Sequence, residues 1–341
     1  MTHVLAWFLH GITSSELPDN LDGLRRIAVE NRFRPETLLN TDKWDFLIRE
    51  GEKDTKPGFV PLRQLASTKR GIATGANEFF HLSAPRAAEL SLPSQVLIPC
   101  VGRAADVQGF EFSEDDLRAL TMNGRRVFLA TFGASLTAAE QRYISAGAAS
   151  GIQGRFLLAG RRPWYTMEPQ RPAQIWAAVF GRQGLRFIHN RTKALTLTTF
   201  HCVYPTDRSD RFVAALTLCL NVPSVQAAAR AHTRVYGGGL LKFEPRDLLE
   251  ICVPDLSRAE ESTRTALAAE QLRLSAELRA GLDYEDLKWE RAEALVRAAA
   301  MEAIQSQQGQ LETHPDRTEP SLRPDARKRR GVPGASPDVQ R

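Results

Sequence analysis

The chain has 341 residues, 43% of them apolar and 25% charged, enough to bury a sizeable core and normally to form two domains or one with extensions. Its formal net charge is +5, a modest basic excess, and no apolar run reaches the roughly 18 residues that a membrane span needs, which excludes a membrane partner. The opening MTHVLAWFLHG lacks the basic flank and cleavage site of a secretory signal, so the expected localisation is cytoplasmic.

In chain order, residues 1–58 read as mixed short helices. Asp19 or Asn20 is placed to cap a helix running through Phe33, and Thr41 with Asp42 to cap another over 44–48. The polar stretch 51–58 marks a boundary. Residues 59–256 then alternate β-rich apolar runs, at 96–98, 127–132, 175–180, 185–188 and 194–203, with turns rich in Gly, Pro and Arg. Helices are expected at 137–150, at 210–220 behind a Ser209 cap, and at 224–233 behind Pro223. The fold class is therefore α+β with a mixed sheet and inserted helices, not an alternating nucleotide-binding array.

Residues 257–308 change character and form a helical arm. Leu267, Leu274, Leu278 and Leu282 share one face, and Asp283 is placed to cap a second helix carrying Leu287, Leu295 and Ile304. The tail 309–341 is rich in Pro, Asp and Arg with almost no apolar content, so disorder is expected there, with a basic cluster at 327–330. Cys100, Cys202, Cys219 and Cys252 lie far apart with no metal-ligand spacing and read as reduced, mostly buried thiols. His10, His81, His189, His201 and His232 have no partners at catalytic spacing.

The segment Lys69 to Phe80, KRGIATGANEFF, concentrates the chemistry. Gly71 and Gly75 permit positive φ or a close backbone approach, Thr74 and Asn77 offer neutral hydrogen-bonding groups, and Phe79 and Phe80 anchor the returning chain. Lys69 and Arg70 place cations beside it. An ordinary turn in a core sheet fits these residues as well as a binding loop does. Farther on, eight Lys or Arg residues lie between Arg155 and Lys193 against one acid, Glu168, as a positive face for phosphates or a merely solvated basic face would require.

This segment resembles the opening of the target-recognition region of restriction-modification N6-adenine DNA methyltransferases. Further elements resemble that family in the same order: Arg162-Pro163-Trp164-Tyr165, the arginine-bearing strand RFIHNRTKA at 186–194, the glycine turn YGGGLLKFEP at 236–245, and Val253-Pro254. The resemblance implies a partner in double-stranded DNA. Arg161, Arg162, Arg191 and Lys193 are then candidates for phosphates or guanine, Asn77 and Asn190 for adenine's donor and acceptor pair, with an Asx-turn as each asparagine's structural alternative. Trp164 is assigned to the core, Tyr165 stands as core anchor or base platform, and Tyr236 beside its glycines as a side chain near a flipped base.

The family's glycine-rich S-adenosylmethionine loop and its Asn-Pro-Pro-aromatic tetrapeptide are not in this sequence. The resemblance thus implies the specificity half of such an enzyme. No cofactor is expected on this chain, and S-adenosylmethionine is expected on a catalytic methyltransferase chain that partners it. Two alternatives stand beside it. A metal-dependent nuclease half would use Asp19 with Asp54 and Lys56, or Asp255 with Asp286 and Lys288. A truncated remnant would have no activity at all.

Overall fold

The structure is a computed structural model that describes residues 4–8, 23, 29–33, 56–178, 180–181, 185–230, 234–236 and 240–313. Strands β1 (Val4–Phe8) and β2 (Val29–Phe33) pair antiparallel. The helix expected through Phe33 therefore gives way to a strand: pairing with the β-rich run VLAWF overrides the local helical reading. The helix expected over 44–48 lies outside the described residues.

Strand β3 (Phe59–Pro61) leads into β4 (Ala66–Arg70), then the short helix α1 (Asn77–Phe80), β5 (His81–Ser83) and α2 (Ala84–Glu89). Next come β6 (Leu97–Val101), β7 (Glu111–Phe112), α3 (Glu114–Met122), β8 (Arg126–Ala130) and α4 (Ala138–Ala149). Helices α3 and α4 both begin with reciprocal capping boxes, Ser113 with Asp116 and Thr137 with Glu140, which satisfy the free amides of the first turn. The single turn α5 (Phe156–Ala159) precedes β9 (Ile175–Ala178), β10 (Phe180–Gly181), β11 (Arg186–Asn190), β12 (Leu195–Thr196) and β13 (Phe200–Pro205). Helix α6 (Asp210–Asn221) starts on the Ser209 hydroxyl, and Pro223 opens α7 (Pro223–Arg230). The chain closes with β14 (Arg234–Tyr236), β15 (Leu240–Lys242), α8 (Pro245–Leu248), β16 (Cys252–Pro254), α9 (Glu261–Arg279) and α10 (Glu290–Thr313).

The main sheet has the order β4-β13-β9-β11-β7, antiparallel except for the β11/β7 pair. A second sheet, β12-β6-β8-β5, is tied to it by the Ile72/Leu197 bridge. Every residue of β13 is buried, so this strand is covered on both faces and reads as a continuous run, FHCVYP, instead of an alternating one. On one face of the main sheet α6 is buried from Phe212 to Asn221. Its last residue locks it to β11: Asn221 Oδ1 accepts from the Phe187 amide at 3.0 Å and its Nδ2 donates to the Phe187 carbonyl at 2.8 Å.

The helical pair after residue 257 packs onto this same core. Leu267, Leu274, Leu287, Val296 and Ala299 share one apolar cluster with α6. Polar bonds fix the register: Gln271 Nε2 donates to the Phe110 carbonyl at 2.8 Å, and Ser275 Oγ accepts from the Phe110 amide at 3.0 Å. Asp283 leads into a 3-10 turn, Tyr284–Asp286, and α10 starts only at Glu290. The delay lets Tyr284 and Trp289 pack against Phe110. Helix α10 runs on through Gly309 to Thr313, and the tail beyond 313, with its basic cluster, lies outside the described residues.

The glycines of the 69–80 segment serve two different needs. At Gly71 a Cβ would fall 2.2 Å from the Leu197 carbonyl oxygen, so the two backbones touch where the sheets join. At Gly75 the backbone takes φ +82°, which strains any L side chain. Gly71→Ala should therefore destabilise the protein by about 2 kcal/mol, because the obstacle is backbone and cannot swing away. A thermal midpoint within a degree of the parent would refute the close approach.

Candidate nucleic-acid interface

Residues 161–174 form a strap that ties together, in order, the candidate elements of the sequence. At its start the Arg161 guanidinium donates to the carbonyls of Ala73 (2.7 Å), Thr74 (3.1 Å) and Thr166 (3.2 Å). Next, Glu168 accepts an ion pair from Lys69 at 2.5 Å. Gln170 Nε2 then reaches Cys202 Sγ, the Tyr204 hydroxyl and the Arg70 carbonyl at 3.0, 3.3 and 3.4 Å. The Arg171 guanidinium lies over the Tyr204 ring, 4.6 Å from its centroid, while the Tyr204 hydroxyl donates to the Arg171 carbonyl at 3.0 Å. Finally Asn190 Nδ2 donates to the Ala173 carbonyl at 2.9 Å.

Between the strap and the edge strand β4 lies an open cleft of about 330 Å³ lined by Ser67, Thr68, Lys69, Pro169, Gln170, Arg171 and Tyr204. Burial raises the Tyr204 phenol to about 12, so at neutral pH it keeps its proton and its role as donor. Burial likewise raises the Cys202 thiol.

Segment 69–80 is a strand, a turn and a helix, not a hairpin. Thr74, expected to offer its hydroxyl outward, is 1% exposed: it donates to Asn77 Oδ1 at 2.5 Å and accepts from the Ala76 amide at 3.1 Å, closing the turn. The need to satisfy a buried hydroxyl decides this. Asn77 remains exposed at the start of α1, with one of its acceptor sites used by Thr74. Phe79 and Phe80 are anchors, as expected; Phe79 stacks on Tyr143 at 4.4 Å and leans on Trp164 at 5.4 Å. Trp164 thus belongs to the core, and Tyr165 is half-buried beside it, edge-on to Phe132.

The turn after β11 is corrected in the same way. Asn190 is 6% exposed, and its side-chain oxygen accepts from the Thr192 amide and hydroxyl at 3.0 and 2.7 Å, an Asx-turn that leaves nothing for a base. Arg191 is exposed but clamped between Glu111 (2.9 Å) and Asp210 (3.0 Å). Beside it, the His189 ring lies 3.5 Å from Asp210, yet burial lowers it to about 4 and keeps it neutral. Lys193 is exposed.

The one-sided basic run is therefore less one-sided in space. Arg155 pairs with Glu78, Arg161 and Arg191 are held as above, and Arg186 donates to the Ala104 carbonyl at 2.7 Å. Counting along the chain missed acids that arrive from Glu78, Glu111 and Asp210. Lys69, Arg70, Arg162, Arg171 and Lys193 remain on the exposed surface; Lys69 is half-neutralised by Glu168, and Arg162 rests on the carbonyls of Ala159 and its own neighbour Arg161. Tyr236 belongs to β14, and its side chain, like residues 237–239, lies outside the described set. Arg171 is one of the eight cations of the basic run, but Gln170, Tyr204 and the stacking of Arg171 on Tyr204 have no signal in the sequence, since an arginine and an aromatic separated by 33 residues carry no local pattern.

The glycine run is bracketed by β14 and β15, which pair antiparallel. A strand followed by a returning strand differs from the strand-to-helix turn of a nucleotide-binding loop. Among the described residues no three His, Cys, Asp or Glu side chains are placed to share a metal ion. Asp255, one of the nuclease candidates, is buried, accepts from Ser257 and pairs with Arg258 at 3.1 Å. Asp19 and Asp54 lie outside the described residues. No single described helix is long and apolar enough to cross a membrane.

Comparison with known proteins places these observations. Residues 36–288 match the family described as the C-terminal domain of the Type II methyltransferase M.Eco57I. The chain is 34% identical over 239 residues to the Type II methyltransferase M.AccI of Acinetobacter calcoaceticus, covering 70% of this chain and 44% of that protein. It is 26% identical over 243 residues to the Type II methyltransferase M.XamI of Xanthomonas campestris pv. amaranthicola, with the same coverages. The chain thus spans under half the length of these relatives. A solved structure, the type IIG restriction endonuclease BpuSI, aligns with 82% of this chain and 36% of its own at a TM-score of 0.43 and 12% identity.

Two outcomes test the geometry. Arg161→Ala leaves three carbonyls without their charged donor and should cost about 2 kcal/mol, with faster amide exchange across 72–77, whereas Arg171→Ala gives up only its contact with the Tyr204 ring and should cost about 0.5 kcal/mol. Equal stability in both variants would remove Arg161 from its structural role. The second concerns pH. His189 titrates near 4 when folded and near 6.5 when unfolded, so the unfolded state binds the extra proton; stability is complete above pH 6.5 and falls by on the order of 3 kcal/mol as pH drops to 4. His189→Gln should shallow that fall in denaturant midpoints, leaving the contributions of His81 and His201, whose buried rings are lowered too.

Proposed function

We infer the function from kinship: the chain belongs to the Type II methyltransferases, as their C-terminal portion. The role proposed on that premise is reading duplex DNA for site-specific N6-adenine methylation, with methyl transfer performed by a catalytic chain that holds S-adenosylmethionine and the target base. The observation that carries the reading is the strap. It bonds the Arg70 carbonyl, carries Arg171 and ends on the Asn190 turn that precedes Lys193, so hydrogen bonds fix these segments before any ligand arrives, and all three cations are exposed and able to neutralise phosphates.

Division of labour follows from the chemistry of the parts. Cations that grip phosphates set register and orientation, while amides and exposed side chains at the loop tips touch base edges. Asn77 is the neutral candidate that remains outward, and Arg162 in the strap and Lys69 in β4 are exposed as well. The buried Thr74 and Asn190 shape the two turns that carry these groups.

The isolated chain should bind a mixed-sequence duplex with an affinity that falls as salt rises, and should transfer no methyl group. Replacing Arg70, Arg171 and Lys193 together by alanine should weaken binding and reduce the slope of log affinity against log salt by about 0.9 for every phosphate that is no longer neutralised. Methyl transfer by the chain alone, or identical binding by the triple variant at every ionic strength, would overturn the proposal.

A further inference from the structure

Phe156 is 93% exposed, more than any other large apolar side chain among the described residues, and it does not sit on a loose loop. The turn α5 is closed by backbone bonds from the amides of Leu158 and Ala159 to the Arg155 carbonyl, both 2.8 Å, and from the Arg161 amide to the Leu158 carbonyl at 3.0 Å. Leu158 beneath it is wholly buried. The turn rests on the 71–76 loop, since a Cβ at Gly75 would lie 3.1 Å from both Leu157 Cβ and Leu158 Cγ. Arg161, immediately behind it, is bonded to the carbonyls of that same loop. Gly154 and Gly160 bracket the turn, each with open space where a Cβ would stand.

Covering an exposed phenyl ring is favourable, and a closed turn presents this one with little left to order on binding. Charge decides what covers it. Between Glu140, which is buried, and Glu168, which pairs with Lys69, the chain carries four arginines, Arg142, Arg155, Arg161 and Arg162, and no acid; Arg161 is spent on the carbonyls of the 71–76 loop, while Arg142 and Arg162 are exposed. The one acid paired with them in the structure is Glu78, on Arg155. A projecting ring on a cationic footing matches a partner that is anionic outside and flat and apolar inside, which describes stacked bases behind phosphates. We propose that Phe156 is a wedge that inserts against the base stack of duplex DNA bound to this face, beside the 71–77 loop. The exposed Arg142 and Arg162 hold the backbone, and the ring takes up the stacking that a distorted base step gives up. This rests on the DNA-reading function proposed above.

The test uses the whole chain, a mixed-sequence duplex, and heparin as a polyanion without bases. Phe156→Ala should weaken duplex binding about tenfold while leaving both thermal stability and the salt slope unchanged, because the variant gives up stacking on a base and keeps every cation that faces a phosphate. Phe156→Trp should keep the affinity, and the emission it adds over the parent should be quenched by duplex and not by heparin. Parental affinity in Phe156→Ala, or equal quenching by heparin, refutes the wedge while leaving the DNA-reading function standing. So does a change from dimer to monomer in sedimentation of DNA-free Phe156→Ala, which assigns the ring to a second copy. Failure of the parent chain to bind duplex at all would remove the function and the wedge together.

Discussion

A loop made largely of glycine and small residues has carbonyls that no ladder satisfies, and here one guanidinium supplies what the backbone cannot. Arg161 reaches the carbonyls of Ala73 and Thr74 from 88 and 87 positions away, and the remaining features of the proposed surface depend on that span. Once the start of the strap is fixed, its following residues fall in sequence onto β4, onto Tyr204 of β13, and onto the Asn190 turn after β11. Each bond is modest alone, and a charged donor to several carbonyls is worth more than a neutral one. The arrangement behaves as one unit because a shift at either end would break bonds at the other.

The architecture was legible wherever a local rule carries global information. The Ser209 cap marks α6, and the β-branched and aromatic runs mark the central strands, because those signals lie within a few residues. The start of the chain was misread for the complementary reason. Residues 29–33 carry a pattern compatible with a helix, and only a partner some 25 positions earlier makes them a strand.

For the surface, the sequence located the segments but not the direction of their side chains. Thr74 and Asn190 stand in the motifs expected to meet DNA, yet each closes its own turn, since a short polar side chain beside a tight bend bonds the nearest amide before it meets a ligand. Arg191 was counted as a free cation because Glu111 and Asp210 reach it only through the β7/β11 pairing and the placement of α6. Cation counting along a chain overestimates a positive face whenever the acids sit on neighbouring elements. Phe156 gives the opposite lesson: within FLLA nothing marks which residue is buried, and the turn hides Leu158 while presenting the ring.

Strands β3 and β16 pair antiparallel, with Val253 opposite Val60 and Pro254 opposite Phe59. The two ends of the 59–254 stretch are therefore zipped side by side. Whatever precedes residue 59 and follows residue 254 meets the same small patch of scaffold, regardless of what the intervening loops contain. Such a closed root holds the entry and exit of the stretch in one register, so a change of length in an intervening loop need not be passed on to the segments that flank it.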